Sequence, residues 1–305
     1  MGCADVVPGV SGGTMALILG IYERLISAIR MVGRPIFWRE LLHGHLRSAA
    51  RTVDLAFLLS VLAGILLAVF SLARALEWAL ENQPVLVWSF FFGLILASIA
   101  VVARRISPWS AALVLVAAAG AAGTWFLVGA VPVQTPDTWW FVFLSGAIAI
   151  CAMILPGISG AFILVLLGKY EYMLAAVNDR DIAVLAVFVT GALIGVVTFA
   201  QLLGWLLRRY HDMTVALLIG FMAGSLRKIW PWKEETAGGP DPVDTAANVL
   251  PAWTIDGSLN LEILWAVLLA AAGLALVLVL ERVASHSSHE GEPRHGVSRT
   301  DRGRE

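Results

Sequence analysis

The chain has 305 residues, 59% of them hydrophobic and only 14% charged, with a formal net charge of −1. A soluble domain carries roughly a quarter charged residues, so this composition excludes a water-soluble globular protein and makes lipid the solvent for much of the chain. The near-zero net charge singles out no partner, and nucleic acid is not expected. Two cysteines, Cys3 and Cys151, are too few for a disulfide framework and read as small buried thiols. The start, Met1-Gly2-Cys3-Ala4-Asp5, lacks a basic n-region followed by an apolar h-region, so it does not read as a cleaved signal peptide.

In chain order, the first apolar stretch, 6–29, is interrupted by Pro8-Gly9. Proline removes an amide hydrogen and clashes with the preceding turn, and glycine loosens the backbone further. The stretch therefore predicts helix, break, helix rather than one rod. A basic connection follows over 30–53, with Arg30, Arg34, Arg39, Arg47 and Arg51. Apolar runs at 54–76, 85–103 and 109–131 each approach the roughly 20 residues that a bilayer core requires. A second interrupted stretch, 139–177, breaks at Pro156-Gly157. It is too long for one span and short for two with a turn, which predicts a re-entrant hairpin. Runs at 181–207, 214–229 and 261–281 complete the set, with a long loop over 231–260. Residues 284–305 are polar and predict a disordered tail. The twelve tryptophans, among them Trp139, Trp140 and Trp230, suit interfacial belts.

Basic residues set the expected orientation. Arg24 and the 30–53 arginines place that connection in the cytoplasm. If the first hairpin enters and leaves on that side, Arg104 and Arg105 fall inside, and the 77–83 and 132–138 loops fall outside. A second hairpin dipping in from outside puts Arg208 and Arg209 inside and leaves 231–260 outside. Both termini are then cytoplasmic. A single full crossing over 139–177 would reverse every later assignment and put the Arg208-Arg209 pair outside. Arg227, Lys228, Lys169 and Arg180 do not support the hairpin reading.

The two interrupted stretches are copies of one unit. Residues 7–29 align without gaps on 155–177, with nine identities in 23 positions. Pro8, Gly9, Ser11, Gly12, Leu19, Gly20, Tyr22, Glu23 and Ala28 match Pro156, Gly157, Ser159, Gly160, Leu167, Gly168, Tyr170, Glu171 and Ala176. At a spacing shorter by 21 residues, Asp54, Gly64, Gly93 and Ser98 match Asp181, Gly191, Gly220 and Ser225. Three spans lie between the signatures, and an odd number inverts the second copy. The expected fold is an all-α polytopic membrane protein with an inverted structural repeat. Each unit, 1–131 and 139–281, is a Pro-Gly-broken re-entrant hairpin plus three transmembrane helices. Secondary transporters share that plan, with sites near the midplane at broken helices. The first copy has almost no leading arm, so either this unit starts short or, the favoured expectation, the sequence begins at an internal methionine.

In each hairpin the second arm begins just after Pro-Gly. Its first amide hydrogens have no intrahelical partner, and the helix dipole adds partial positive charge. Ser11 and Ser159 are suited to N-capping. Gly12, Gly13 and Gly160, followed by Ala161, leave bare backbone, and Thr14 adds a hydroxyl. Two such starts facing each other would suit a phosphate-sized anion, against the plainer reading that these small residues only permit close helix packing. Asp5 is unique to the first copy and reads either as a coupling proton carrier or as a solvated cap. Tyr22-Glu23 and Tyr170-Glu171 should lie near the outer ends of the second arms, as interfacial anchors or as gates. Arg24, Arg104, Arg105, Arg208 and Arg209 could capture a headgroup, or serve orientation alone. There is no Walker loop, no histidine group with metal spacing and no nucleophile–base constellation, so no metal or cofactor is expected.

The run Gly2-Cys3-Ala4-Asp5-Val6-Val7-Pro8-Gly9-Val10-Ser11-Gly12-Gly13-Thr14, followed by Gly20-Ile21-Tyr22-Glu23, resembles the opening motif of the polyprenyl-phosphate (undecaprenyl-phosphate) translocase family, PopT. Leu155 to Glu171 resembles that family's second motif, and the likeness covers essentially all of 1–282. It implies a flippase of the bacterial or archaeal plasma membrane, not an enzyme. Such a protein returns the monophosphate lipid carrier from the outer to the inner leaflet for reuse in envelope glycopolymer synthesis. The family usually has more residues before the Gly-x-Ala-Asp segment. The competing enzyme class, a polyprenyl-diphosphate phosphatase, places an arginine just after the motif serine and a glutamate pair on a helix. Gly12 and Gly160 occupy that position here, and no such pair is present. A carrier of a small soluble anion is the third reading.

Overall fold

Lipid offers a backbone no hydrogen-bond partner, so long proline-free apolar runs satisfy their amides internally, as helices. The computed structural model describes residues 1–2, 11–130, 132–133, 135–234, 247–251, 254–255, 258–259 and 261–289. Asp5, Pro8 and Gly9 lie outside the described residues. In order, the helices are α1 (Gly12–Ile18), α2 (Tyr22–Val32), α3 (Pro35–Leu42), α4 (Leu46–Thr52), α5 (Leu55–Asn82), α6 (Pro84–Ala103) and α7 (Ala111–Val128). Then come α8 (Trp139–Ile154), α9 (Gly160–Leu166), α10 (Tyr170–Asn178), α11 (Ile182–Arg209), α12 (His211–Ser225) and α13 (Leu261–His289). Two antiparallel pairs of two-residue strands, Lys233–Glu234 with Ala247–Asn248 and Thr254–Ile255 with Ser258–Leu259, sit between α12 and α13. Among the described residues five helices, α5, α6, α7, α11 and α13, are long and apolar enough to cross a membrane, and the bent pair α9–α10 is a sixth candidate. The protein is an all-α polytopic membrane protein.

Three boundaries differ from the sequence reading. The 77–83 segment, expected as a loop, is almost all helix, because α5 runs to Asn82. Pro84, at the first turn of α6, then forces the break. The span expected over 214–229 is helical only to Ser225, and 226–229 turn. The expected disordered tail is helical over 284–289, where α13 continues past the apolar run.

The helices pair across the two halves of the chain. α6 packs along α13, and α7 packs along α12. Small residues let these backbones approach, which is how membrane helices gain the dispersion contacts that hold them together. A Cβ at Gly93 on α6 would stand 2.0 Å from the Ala270 carbonyl oxygen on α13, and one at Gly273 would stand 2.2 Å from that of Phe90. The second pair repeats this contact. A Cβ at Gly220 on α12 would stand 2.2 Å from the Ala117 oxygen on α7, and one at Gly120 would stand 2.8 Å from that of Leu217. Gly220 follows Gly93 by 127 residues, and Leu217 follows Phe90 by the same 127.

α11 packs as closely on α8, where a Cβ at Gly191 would stand 2.0 Å from the Phe143 oxygen. Gly64 on α5, the position matched to Gly191, has nothing within 4 Å of its would-be Cβ. α5 leaves Leu59, Leu62, Leu67 and Phe70 exposed. The core forms around α6, with Ile18, Tyr22, Ile95, Val102, Leu218 and Met222 all buried together.

Candidate functional site

The two motifs fold alike locally. Ser11 (φ −115°, ψ 135°) and Ser159 (φ −99°, ψ 135°) take the extended backbone of N-caps, and each opens a seven-residue helix, α1 or α9. Gly20 (φ +69°) and Gly168 (φ +61°) then turn the chain through the left-handed region, which glycine enters without a Cβ clash. After that turn α10 leaves α9 at 107°. The second arms are thus only two turns long. Tyr22-Glu23 and Tyr170-Glu171 open the next helices instead of ending the arms.

The start of α1 is joined directly to the neck of the second hairpin. The Ser11 hydroxyl accepts from the Gly13 amide at 3.1 Å and donates toward the carbonyls of Met153 (3.1 Å) and Leu155 (3.0 Å). The Thr14 hydroxyl accepts from the Gly157 amide at 3.1 Å. Gly157 sits at φ +88° with Ser225 and Phe221 close by, so only a glycine fits this corner. A Cβ at Gly13 would stand 2.3 Å from the Ile154 oxygen. The Tyr22 hydroxyl donates to that same oxygen at 3.3 Å. Ser11, Gly12, Gly13 and Thr14 are all buried.

The second start is different. Ser159 occupies the cap position, but its side chain makes no capping hydrogen bond, contrary to the expectation for it. Among the described residues, the first amides of α9 have no side-chain acceptor at the cap. Ser159 and Gly160 are half-buried and Ala161 is exposed. One motif is sealed against its counterpart, and the other is open.

The flanking residues are engaged separately. Arg105 donates to the carbonyls of Leu17 (3.3 Å) and Ile18 (3.0 Å), so it caps the negative end of α1. Arg24 pairs with Asp54 at 2.6 Å and lies over the Phe57 ring. Arg209 lies over Tyr210, while Arg104 and Arg208 are exposed. Tyr22 is 1% exposed and so is no interfacial anchor, whereas Tyr170 is 45% exposed. Glu23 contacts His211 at 3.1 Å, and Glu171 is exposed. Lys169 is buried, bound to the Thr135 carbonyl and the Asp137 carboxylate. Among the described residues no group of three potential metal ligands gathers.

Sequence reasoning did not identify the Met153, Ile154 and Leu155 carbonyls or the Gly157 amide as partners of the first motif. Backbone groups carry no side-chain signature, and only their position at the second break pointed toward them.

Residues 1–243 match the family described as undecaprenyl phosphate translocase-like. A protein of Vibrio cholerae named polyprenyl-phosphate transporter is 41% identical over 292 residues, covering 93% of this chain and 94% of that one. One of the same name in Staphylococcus aureus is 30% identical over 250 residues, covering 76% and 83% respectively. No solved structure matches the chain.

Proposed function

The chain belongs to the undecaprenyl phosphate translocase-like family, and from that membership we propose that it is a transporter of polyprenyl phosphate rather than an enzyme. In this reading it is a flippase of the plasma membrane with both termini cytoplasmic. It returns the lipid monophosphate from the outer to the inner leaflet, by alternating access between two inverted repeats, 1–131 and 139–281.

The junction of the hairpins carries the proposal. A bare phosphomonoester in hydrocarbon is prohibitive because its charge is unpaired. Backbone amides and hydroxyls at two helix starts supply donors, while the prenyl tail stays in lipid. Ser11 and Thr14 reach into the neck of the other hairpin, so the first candidate phosphate site is fastened to the segment that leads into the second. The starts differ in access, closed at Ser11, Gly12, Gly13 and Thr14 and open at Ser159, Gly160 and Ala161. That asymmetry suits one end state of a cycle. The glycine contacts repeated at Gly93–Ala270 and Gly220–Ala117 support the duplication.

Proteoliposomes with labelled polyprenyl phosphate in one leaflet test the reading. Wild-type protein should expose the label to the other leaflet. Ala161→Phe, a bulky change at an exposed position, should slow it several-fold. Unchanged transport in both Ala161→Phe and Ser11→Ala/Ser159→Ala would remove the junction from the mechanism. Robust phosphate release from a polyprenyl diphosphate by purified protein would overturn the transporter reading.

A further inference from the structure

We propose that the cavity between α2 and α11 is a second anion site, built for a phosphate monoester around Arg30 and Arg208. It has a volume of about 150 Å³ and is lined by Glu23, Ile26 and Arg30 of α2 with Gly204, Leu207 and Arg208 of α11. That is many times the roughly 10–15 Å³ one water needs.

Arg30 supplies the principal observation. Its Nε and Nη1 are closed off from solvent and find no hydrogen-bond partner among the described residues. The side chain as a whole is half-buried, and two guanidinium donors closed off without an acceptor cost free energy that an anion in the cavity would recover. Arg30 packs against α11. Its stem lies on Gly204, where a Cβ would stand 3.1 Å from Arg30 Cδ. Arg208, one turn along α11, brings a second guanidinium to the same cavity from an exposed position, at its mouth.

The lining carboxylate does not answer this charge. Glu23 is held by His211 Nε2 at 3.1 Å, and His211 Nδ1 contacts Asp212 at 3.0 Å. Two guanidiniums thus line the cavity, while the one carboxylate among its lining residues contacts His211. Each planar fork binds two oxygens side by side. A carboxylate ligand would occupy one fork, whereas a phosphate monoester has three terminal oxygens and serves both. Ile26 and Leu207, both buried, give the cavity an apolar wall beside Arg30, where attraction for an anion is less screened than at the exposed Arg208. The chemistry is common to a lipid headgroup and to free phosphate, and the site stands whether or not the hairpin junction carries the lipid.

The test is thermal unfolding and titration calorimetry on the full-length protein in detergent, with inorganic phosphate and farnesyl phosphate as probes. At least one probe should raise the wild-type melting temperature. Arg30→Gln should weaken its binding by about tenfold or more, the scale of a lost charge-assisted pair. Without probe, Arg30→Gln should be at least as stable as wild type, since two closed-off donors without an acceptor are gone. Arg208→Gln, at an exposed position where a folding defect is not expected, should also weaken binding. Binding of both probes assigns the site to phosphate from either source; binding of farnesyl phosphate alone assigns it to a lipid headgroup. No shift with either probe overturns the proposal. A shift equally large in Arg30→Gln also overturns it, by placing the probe elsewhere, at the hairpin junction.

Discussion

Replacing Thr14 by valine isolates one of the bonds that join α1 to the neck of the second hairpin. Thr14 is fully buried, and its hydroxyl oxygen is the acceptor for the Gly157 amide at 3.1 Å. Valine keeps nearly the same shape but presents a methyl group to that amide. The amide cannot turn elsewhere, because Gly157 is fixed at φ +88° against Phe221 and Ser225. An orphaned buried donor costs about 1–3 kcal/mol. Thr14→Ser makes the opposite change, keeping the oxygen and losing one methyl, at roughly 0.8 kcal/mol plus a small cavity. Valine should therefore be the more damaging substitution, although it is the more apolar. The assay is thermal unfolding of the purified variants in one detergent, followed over several heating rates. A valine variant as stable as wild type, with serine the worse of the two, would refute the claim that this hydroxyl ties the halves together.

Paired glycines should respond unequally. Gly191→Ala should lose about 1–3 kcal/mol by overpacking against the Phe143 carbonyl, while Gly64→Ala, with open space around it, should gain up to about 1 kcal/mol of helix propensity; unfolding in denaturing detergent reads both. In the basic connection, hydrogen bonds from Thr52 and Ser48 hold the Glu40 carboxyl below the usual carboxylate range. A depressed carboxyl contributes stability above its unfolded value, near 4.5, and loses it as pH falls through the folded value. Hydrogen exchange over 35–52 should therefore gain an acid-dependent opening in wild type that Glu40→Gln lacks. An identical opening in both would remove Glu40 from that contact.

The break at Pro156-Gly157 was legible because Pro-Gly in an apolar run has few structural outcomes, and because the run occurs twice in the sequence. Ser11 was readable as a cap for the same local reason: a serine stands just before glycines at a helix start. Its other contacts were not, since the oxygens it meets belong to Met153 and Leu155, residues whose side chains announce nothing. Arg105 shows the limit in another form. Sequence places it just past the end of α6, but not which other helix end it faces, and that end is α1's. Tyr22 and Tyr170 occupy matched positions and fold into the same local turn, yet one is buried and the other exposed. Only tertiary context separates them. Arg30 was one arginine among many in a basic run until α11 closed over it.

Pairing across the halves constrains any cycle the protein performs. α6–α13 and α7–α12 each join a helix of one half to a helix of the other through glycine contacts too close to slide past one another. The four helices are therefore expected to move as a block, leaving α1 and the neck at 153–157 as the parts with alternatives. Ser11 and Thr14 satisfy themselves on that neck. For α1 to offer its amides to an anion, the Ser11 and Thr14 hydroxyls must release Met153, Leu155 and Gly157, the residues that lead into α9. On the proposed function, opening the first start thus unfastens the neck on which the second start is built. The coupling is reciprocal, as any linkage between two sites must be. An anion at α9 that pulls on Gly157 acts on Thr14 through the same hydrogen bond. Exclusive access would then follow from one shared set of contacts, with no separate gate on either side.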